Sequence, residues 1–118
     1  MTSHSKAEAN EKQLEPIVQR AIATVRSSMS TRKPNIREAF SYGAIGIDPK
    51  HLVVWYIFSA DADKSLATRS GFSKELDFQS RVALRTEGYP APAVDQISVA
   101  FASDEEIKRA GGLRAFFA

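Results

Sequence analysis

The sequence predicts an α+β domain in which helices gather on one face of a small, mostly antiparallel sheet of three to four strands. Three observations carry this prediction. Residues 52–59 form an apolar run, and a turn precedes it. Apolar residues at helical spacing come before that turn. Helix-capping residues and glycines divide the rest of the chain into segments. The predicted order is α-β-β-α-α-β-α, with an optional last strand.

The first helix is predicted from an apolar stripe that starts at Leu14. Apolar residues recur from there to Met29 at i, i+3, i+4 and i+7, which is the spacing of an amphipathic helix. Pro16 suits the first turn of this helix, where its missing N–H costs nothing. The polar residues 1–13 are predicted to form a poorly ordered tail, and residues 14–118 a single domain.

A pair of strands is predicted next. Residues 40–47 form the first strand, although two glycines weaken it. Residues 48–51 supply a turn with proline at its second position. Residues 52–59 then return antiparallel to the first strand.

Two helices follow this pair of strands. Asp61 or Asp63 caps a short helix that stops at Gly71. Ser73 caps a longer helix over residues 74–87. A glycine and a rigid proline segment come directly after residue 87 and end this helix.

The last third of the chain returns to the sheet and ends in a helix. Residues 96–102 are predicted to form the third strand. Ser103, followed by Glu106, forms a capping box that opens the last helix. The apolar residues 113–118 are expected to add an edge strand or to fold over the sheet.

Helices on one face leave the other face of the sheet open. Side chains alternate along a strand, so Val53, Trp55 and Ile57 share one face as an apolar stripe. The stripe needs cover, since each such side chain contributes roughly 1.5–3 kcal/mol when it is buried. Phe116 and Phe117, a second copy or another protein could provide it. The stripe and these two phenylalanines are the predicted interface.

The charge of the chain gives a second candidate surface. There are 16 Lys and Arg against 14 Asp and Glu, and a net charge of +2 is too small to indicate a polyanion partner. Residues 16–37, however, contain basic residues and no acidic one. This segment is either a solvated surface or an anion- or nucleic-acid-binding patch of Arg26, Arg32, Lys33 and Arg37.

The residues that catalysis and metal binding need are scarce. The chain has no cysteine, which excludes disulfides, thiolate zinc sites and cysteine nucleophiles. Its two histidines are His4, in the predicted tail, and His51, in the predicted turn. Asp61 and Asp63 are explained as helix caps. The sequence therefore predicts no catalytic residue, no metal site and no cofactor.

The N-terminal residues and the hydropathy pattern bear on location. The first residues are polar and lack the apolar core of a signal peptide. No run approaches the ~18 apolar residues that a membrane span needs. We expect a soluble cytoplasmic protein with no membrane contact.

The predicted order resembles that of type II KH domains, and residues 52–102 correspond to the β-α-α-β core of that family. The resemblance implies RNA binding through a G-x-x-G loop between the two central helices. At that place this chain has Arg69-Ser70-Gly71-Phe72-Ser73, with one of the two glycines. We therefore transfer the topology of the KH family to this chain, but none of its binding residues.

About half of the chain is similar to small standalone bacterial proteins that are themselves uncharacterised. The resemblance implies a bacterial α+β protein and no catalytic residues. It is carried by Trp55-Tyr56-Ile57-Phe58, Ser70-Gly71-Phe72, Gly88-Tyr89-Pro90, and Phe101, Ser103, Glu105 and Ile107 before Gly111-Gly112.

These patterns favour a non-enzymatic protein-interaction module. Its sheet face around Trp55 would bind another protein, as immunity proteins bind the toxin that they neutralise, or a second copy in a homodimer. The alternative is a KH-like RNA-binding module that uses the basic segment from Arg26 to Arg37. An enzyme is the least favoured class, because capping and solvation explain every candidate catalytic group.

Overall fold

The computed structural model describes residues 3–118 as a three-stranded sheet with helices on both of its faces. The predicted α+β class and the order α-β-β-α-α-β-α are confirmed, and two short helices are added. The elements are α1 (Ser3–Ser28), β1 (Glu38–Tyr42), β2 (Val53–Phe58), α2 (Asp61–Arg69), α3 (Phe72–Glu87), α4 (Ala91–Val94), β3 (Ser98–Ser103), α5 (Asp104–Arg109) and α6 (Leu113–Phe116).

The sheet is mixed, and the prediction of a mostly antiparallel sheet is wrong in this respect. β2 is the central strand; β1 pairs with it antiparallel, as predicted, and β3 pairs with it parallel. The helices α2 and α3 lie between β2 and β3 in the chain and return it to the end of the sheet where β2 begins. Such a crossover joins parallel neighbours, whereas a tight turn joins antiparallel ones.

The main core lies between one face of the sheet and the helices α1 and α3. Val54, Tyr56 and Phe58 point to this face and are buried. Phe101 in β3 stacks beside Tyr56 and Phe58, with ring centroids 6.2 and 6.3 Å away. The predicted helical stripe supplies the opposite side of the core through buried Val18, Ala21, Ile22, Val25 and Met29.

The second face of the sheet is covered in part by α5 and α6, so the prediction of helices on one face only is wrong. Ile57 and Ile107 are buried there, with Phe116 packed against them. The C-terminal residues form α6 and not an edge strand. Gly111 and Gly112 adopt φ angles of 102° and 108°, which favour glycine, and turn the chain back over the sheet after α5.

The first helix begins at Ser3, well before the predicted start near Leu14, and Pro16 lies inside it. A contact with the residues after β1 explains the longer helix. Asn10 Nδ2 donates to the carbonyl of Gly46 at 3.3 Å, and a Cβ on Gly46 would lie 2.1 Å from the carbonyl oxygen of Ala7. Residues 3–13 of the predicted tail are thus helical, and residues 1 and 2 lie outside the described part of the chain.

The connection between β1 and β2 also differs from the prediction. β1 ends at Tyr42, so residues 43–47 are not part of a strand. Gly43 has a φ of 116°, and a Cβ there would lie 2.1 Å from the carbonyl oxygen of His51. Only glycine allows this close approach, which ends the strand. A short 3-10 helix, Pro49–His51, replaces the simple turn.

Two predicted caps have different outcomes. Ser103 and Glu106 form the predicted capping box at the start of α5. Ser73 is not the cap of α3, because the helix begins at Phe72, two residues before the predicted start, and leaves Ser73 in its first turn. Over residues 3–118, no helix has both the length and the apolar character that crossing a membrane requires.

Candidate protein-interaction surface

Trp55 lies at the centre of an aromatic cluster on the second face of the sheet. Phe116 and Phe117 pack edge-on against its ring, with centroid distances of 5.8 and 5.2 Å. Phe117 also stacks on Tyr42 at 5.2 Å, with the two rings 7° from parallel. Phe40, opposite Trp55 in β1, approaches Phe117 at 6.0 Å. The C-terminal residues are therefore docked on the sheet through ring contacts.

The structure brings most of the predicted interface residues together. Trp55, Phe116 and Phe117 are in contact and half-buried, and half-buried Val53 lies on the same face opposite Tyr42. Ile57 is different, because it is only 1% exposed and cannot reach a partner.

Tyr42 is a member of this surface that the sequence analysis missed. Its side chain is 56% exposed although its ring stacks on Phe117. The alternation of Phe40 and Tyr42 along one strand could have indicated it, but the strand was assigned too far along the chain. We call Tyr42, Val53, Trp55, Phe116 and Phe117 the aromatic patch.

A cleft of about 740 Å³ opens between α1 and the residues that follow β1, on the α1 side of the sheet and thus on the face opposite the aromatic patch. Two glutamates, Glu11 and Glu15, are one helical turn apart on α1 and line it. The hydroxyl residues Ser41 and Tyr42 lie at its β1 side. Its other lining residues are Gly43, Ala44 and the buried Ile45 and Leu52, so no basic residue lines it within the part of the chain that the structure describes. We call it the acidic cleft.

Of the two carboxylates of the acidic cleft, neutral groups hold one and the other is exposed. Glu15 Oε1 accepts hydrogen bonds from Gln19 Nε2 at 2.8 Å and from Ser41 Oγ at 3.3 Å. Glu11 has no hydrogen bond or ion pair within residues 3–118 and is exposed. Burial, together with the smaller effect of the charges of Asp48 and Glu15, raises the pKa of Tyr89 to about 12. The negative charge of the cleft is thus not balanced by a cation of its lining.

The four basic residues of the predicted anion site are bound to other parts of the chain. Arg26 Nη2 donates to the carbonyl of Arg37 at 3.2 Å, and Arg37 pairs with Asp104 at 3.4 Å. Lys33 donates to the side-chain oxygen of Asn35 at 3.1 Å.

Arg32 has the strongest contacts of the four. It pairs with Glu75 at 2.7 Å, and its guanidinium lies 5.2 Å from the centre of the Phe72 ring. The hydrogen bond and charge of Glu75 raise the pKa of Arg32 above its usual value. Arg32 is thus tied to α3 and Arg37 to α5, and RNA binding by this segment stays a prediction.

A second cleft, of about 550 Å³, lies between α2 and α5 and is lined by paired charges. Asp61 pairs with Arg109 at 2.7 Å, and Lys64 with Glu106 at 2.9 Å. Ser103 Oγ donates to the carboxylate of Asp61 as well. The hydrogen bonds from Arg109 and Ser103 hold the pKa of Asp61 below its usual range. These pairs tie the first turn of α2 to α5, while Arg69, which also lines the cleft, is exposed and has no ion pair within residues 3–118.

Comparison with known proteins adds no assignment. No protein-family model matches the chain, and no curated protein or solved structure matches it either. Within the described residues, no three histidine, aspartate or glutamate side chains converge as a metal site. The aromatic patch therefore carries the functional argument.

Proposed function

We propose that this chain is a non-enzymatic protein-interaction module that binds a partner through the aromatic patch. The observation that carries the proposal is the exposure of Tyr42, which is 56% accessible at the edge of a continuous cluster of rings. Large contiguous apolar patches are rare on monomeric proteins and mark binding surfaces. Tyrosine, tryptophan and phenylalanine are also enriched where protein interfaces are most buried.

The patch is held rigidly before any partner arrives. Trp55 belongs to the central strand, and the rings of Phe116 and Phe117 are fixed against it and against each other. Stacked aromatic side chains have few rotamers to lose, so a partner that covers them meets a small entropic cost. A binding surface gains affinity from this arrangement.

The titratable groups with shifted pKa values have structural explanations, which supports a non-enzymatic role. Burial raises the pKa of Tyr56 to about 12, and its hydroxyl lies 2.5 Å from Ser80 Oγ inside the core. The hydroxyl of Tyr89 donates to the carbonyl of Pro49 at 2.6 Å. Perturbed groups at an active site usually converge in a cleft, and these two tyrosines are buried among structural contacts.

The setting that we propose is the cytoplasm of a bacterium, and a role in neutralising a partner, as immunity proteins have, is the narrower form of the proposal. The bacterial setting rests on the sequence resemblance described above, and the absence of cysteine is compatible with a reducing compartment such as the cytoplasm. The broader form, binding through the aromatic patch, does not depend on either.

A pair of matched variants tests the broader form. Tyr42→Ser removes an exposed ring from the aromatic patch, and Phe78→Ser removes a ring that is 63% exposed on α3, on the opposite side of the sheet. Sedimentation across the micromolar range measures self-association, and selection from phage-displayed random peptides measures binding to other sequences. We expect association in at least one assay, lost in Tyr42→Ser and kept in Phe78→Ser. A monomer that selects no peptide in a Tyr42-dependent way would refute the proposal.

A further inference from the structure

We infer that the outer edge of β1 pairs with an extended segment of a different protein, which adds a strand to the sheet beside the aromatic patch. This inference rests on the function proposed above and specifies the form of the partner. The sheet has the order β1-β2-β3, so β1 is one of its two edge strands. An edge strand presents unpaired N–H and C=O groups, which are a template for another strand.

The register of the sheet identifies the unpaired groups of β1. The carbonyl of Ile57 in β2 accepts from the N–H of Arg37 at 2.8 Å, so the backbone groups of Ile57 point towards β1. Ile57 lies opposite Glu38, whose own backbone groups therefore point towards β2. Because these directions alternate along a strand, the N–H and C=O groups of Ala39 and Ser41 point away from the sheet. Neither residue has another backbone hydrogen bond within residues 3–118.

The other edge of the sheet, β3, is closed at both of its ends. Arg81 Nη2 donates to the carbonyl of Ile97, directly before β3, at 3.1 Å. The N–H of Ser103, the last residue of β3, donates to Glu106 Oε1 at 2.9 Å. Edge strands are often protected by lysine or proline as well, and the five residues of β1 include neither. β1 is therefore the edge that a partner strand can reach.

The aromatic patch specifies the side chains of the partner on one face. Phe40 and Tyr42 lie on the second face of the sheet, and both rings contact Phe117. A residue of an added strand directly opposite either ring would have its Cβ about 4.5–5.5 Å from that of the ring residue. An apolar side chain there would cover Tyr42, which is 56% exposed. The partner strand thus needs an apolar or aromatic residue at every second position.

The first helix decides against a second copy of the chain. Ser41 Oγ donates to Glu15 at 3.3 Å, and Gln19 Nε2 donates to the same hydroxyl, so α1 lies over β1. Edge-to-edge pairing would place the β1 strands of two copies about 4.8 Å apart, with an α1 helix over each. Packed helices need about 8–10 Å between their axes. An extended segment brings no helix to this position and meets no such conflict.

The unpaired groups also decide the class of macromolecule. Ala39 and Ser41 each offer one N–H and one C=O, two residues apart along the strand. The backbone of an extended polypeptide has the same two-residue repeat of donors and acceptors. Nucleic acids and lipid headgroups have no such repeat. The occupant is therefore a polypeptide strand, and pairing with a second copy becomes an outcome of the test.

Hydrogen exchange of the ¹⁵N-labelled chain, followed by NMR, tests the edge itself. We expect fast exchange at Ala39 and Ser41 and slow exchange at Phe40 between them. The probe is the capped peptide acetyl-Glu-Thr-Trp-Thr-Trp-Thr-Glu-amide, which should slow the exchange of the two fast amides. Slow exchange of all three amides in the free chain would overturn the inference. Protection that grows with the concentration of the chain alone would show that a second copy occupies the edge, and the choice of a different protein would be wrong.

Two N-methylated forms of the probe separate strand pairing from ring contacts. One carries methyl groups on the nitrogens of its first two threonines, and the other on those of its two tryptophans. Only every second N–H of a strand points at its neighbour, so one form should lose binding and the other should keep it. Equal affinity of the two forms would indicate ring contacts alone and overturn the inference. Failure of the unmethylated probe to bind overturns it as well.

Matched proline variants assign the pairing to β1. Ala39→Pro removes an outward N–H from an edge strand, where proline is tolerated, and leaves the rings of the aromatic patch in place. We expect it to bind the probe about tenfold more weakly. Ala91→Pro makes the same change at the exposed first residue of α4, a position that suits proline, and should keep the affinity. If Ala39→Pro does not fold, the methylated probes still decide.

The outcomes separate this inference from the proposed function. Probe binding that Tyr42→Ser loses and Ala39→Pro keeps overturns the inference and leaves the aromatic patch as the binding surface. The association assays with Tyr42→Ser and Phe78→Ser decide the proposed function whatever the result at Ala39.

Discussion

At the scale of single residues, the protons of one buried hydrogen-bonded pair can be assigned. Ser80 Oγ donates its only proton to the carbonyl of Leu76 at 2.6 Å, so the Tyr56 hydroxyl 2.5 Å away must donate to Ser80 Oγ. Both side chains are buried. Tyr56 in β2 is thereby joined to α3 by a polar contact inside an apolar core, where an unpaired hydroxyl is costly.

This assignment predicts different costs for two similar variants. Ser80→Ala leaves the Tyr56 hydroxyl without an acceptor and should lower the free energy of unfolding by roughly 1–3 kcal/mol. Tyr56→Phe removes the donor, while Ser80 still donates to Leu76, and should cost about 1 kcal/mol. Urea unfolding at neutral pH measures both. A larger loss for Tyr56→Phe than for Ser80→Ala would contradict the assignment.

Single residues also show where sequence reasoning reached the site and where it did not. Trp55 was predicted because an apolar side chain on the open face of a strand needs cover whatever the details of the fold. Glu11, Glu15 and Tyr42 were missed, since they meet only when α1 passes the end of β1. The one local signal was the spacing of the two glutamates, four residues apart, which is common on solvated helices.

At the scale of elements, α6 and the residue that follows it contribute to stability through the rings of Phe116 and Phe117. Phe116 and Phe117 are half-buried against Trp55, whereas Leu113 at the start of α6 is 44% exposed. Burial of a full phenylalanine contributes roughly 1.5–3 kcal/mol, so two half-buried rings contribute about as much as one full residue. Removal of α6 would also expose the ring of Trp55 to water.

Deletion of residues 113–118 should therefore lower the melting temperature by several degrees and shift the tryptophan emission to longer wavelength. Leu113→Ala is the matched control within the same helix and should change the melting temperature little, because its side chain is already exposed. Thermal unfolding and intrinsic fluorescence measure the two effects. An unchanged melting temperature and an unchanged emission maximum after the deletion would show that α6 does not dock.

The elements also show which parts of the fold are local in origin. The capping box at Ser103 was predicted because the two residues that form it are three apart in the chain. The parallel direction of β3 was not predicted, because the path of α2 and α3 around the sheet determines it. The conformation of residues 113–118 likewise depends on a distant surface, the face that carries Trp55.

At the scale of the whole molecule, the net charge is +2, but several cations of the basic segment, residues 16–37, form ion pairs within the chain. Arg20 pairs with Glu87 at 2.9 Å, and Arg32 pairs with Glu75 on the same helix, α3. Exposed pairs of this kind add about 0–1 kcal/mol each, so the fold does not depend on them. Their effect is on the electrostatic potential around the segment. Each carboxylate offsets the charge of a cation that would otherwise attract a phosphate.

We therefore expect only weak binding to single-stranded RNA, without the steep salt dependence that several phosphate contacts would give. Each contact adds about 0.7 to the slope of log affinity against log salt. Lys33→Gln and Lys74→Gln each remove one exposed lysine, the first inside the predicted anion site and the second on α3, and should lower the affinity equally. Fluorescence anisotropy over a salt series measures both. Submicromolar, salt-sensitive binding that Lys33→Gln abolishes and Lys74→Gln preserves would favour the RNA-binding alternative, since contacts confined to one patch distinguish a site from general attraction.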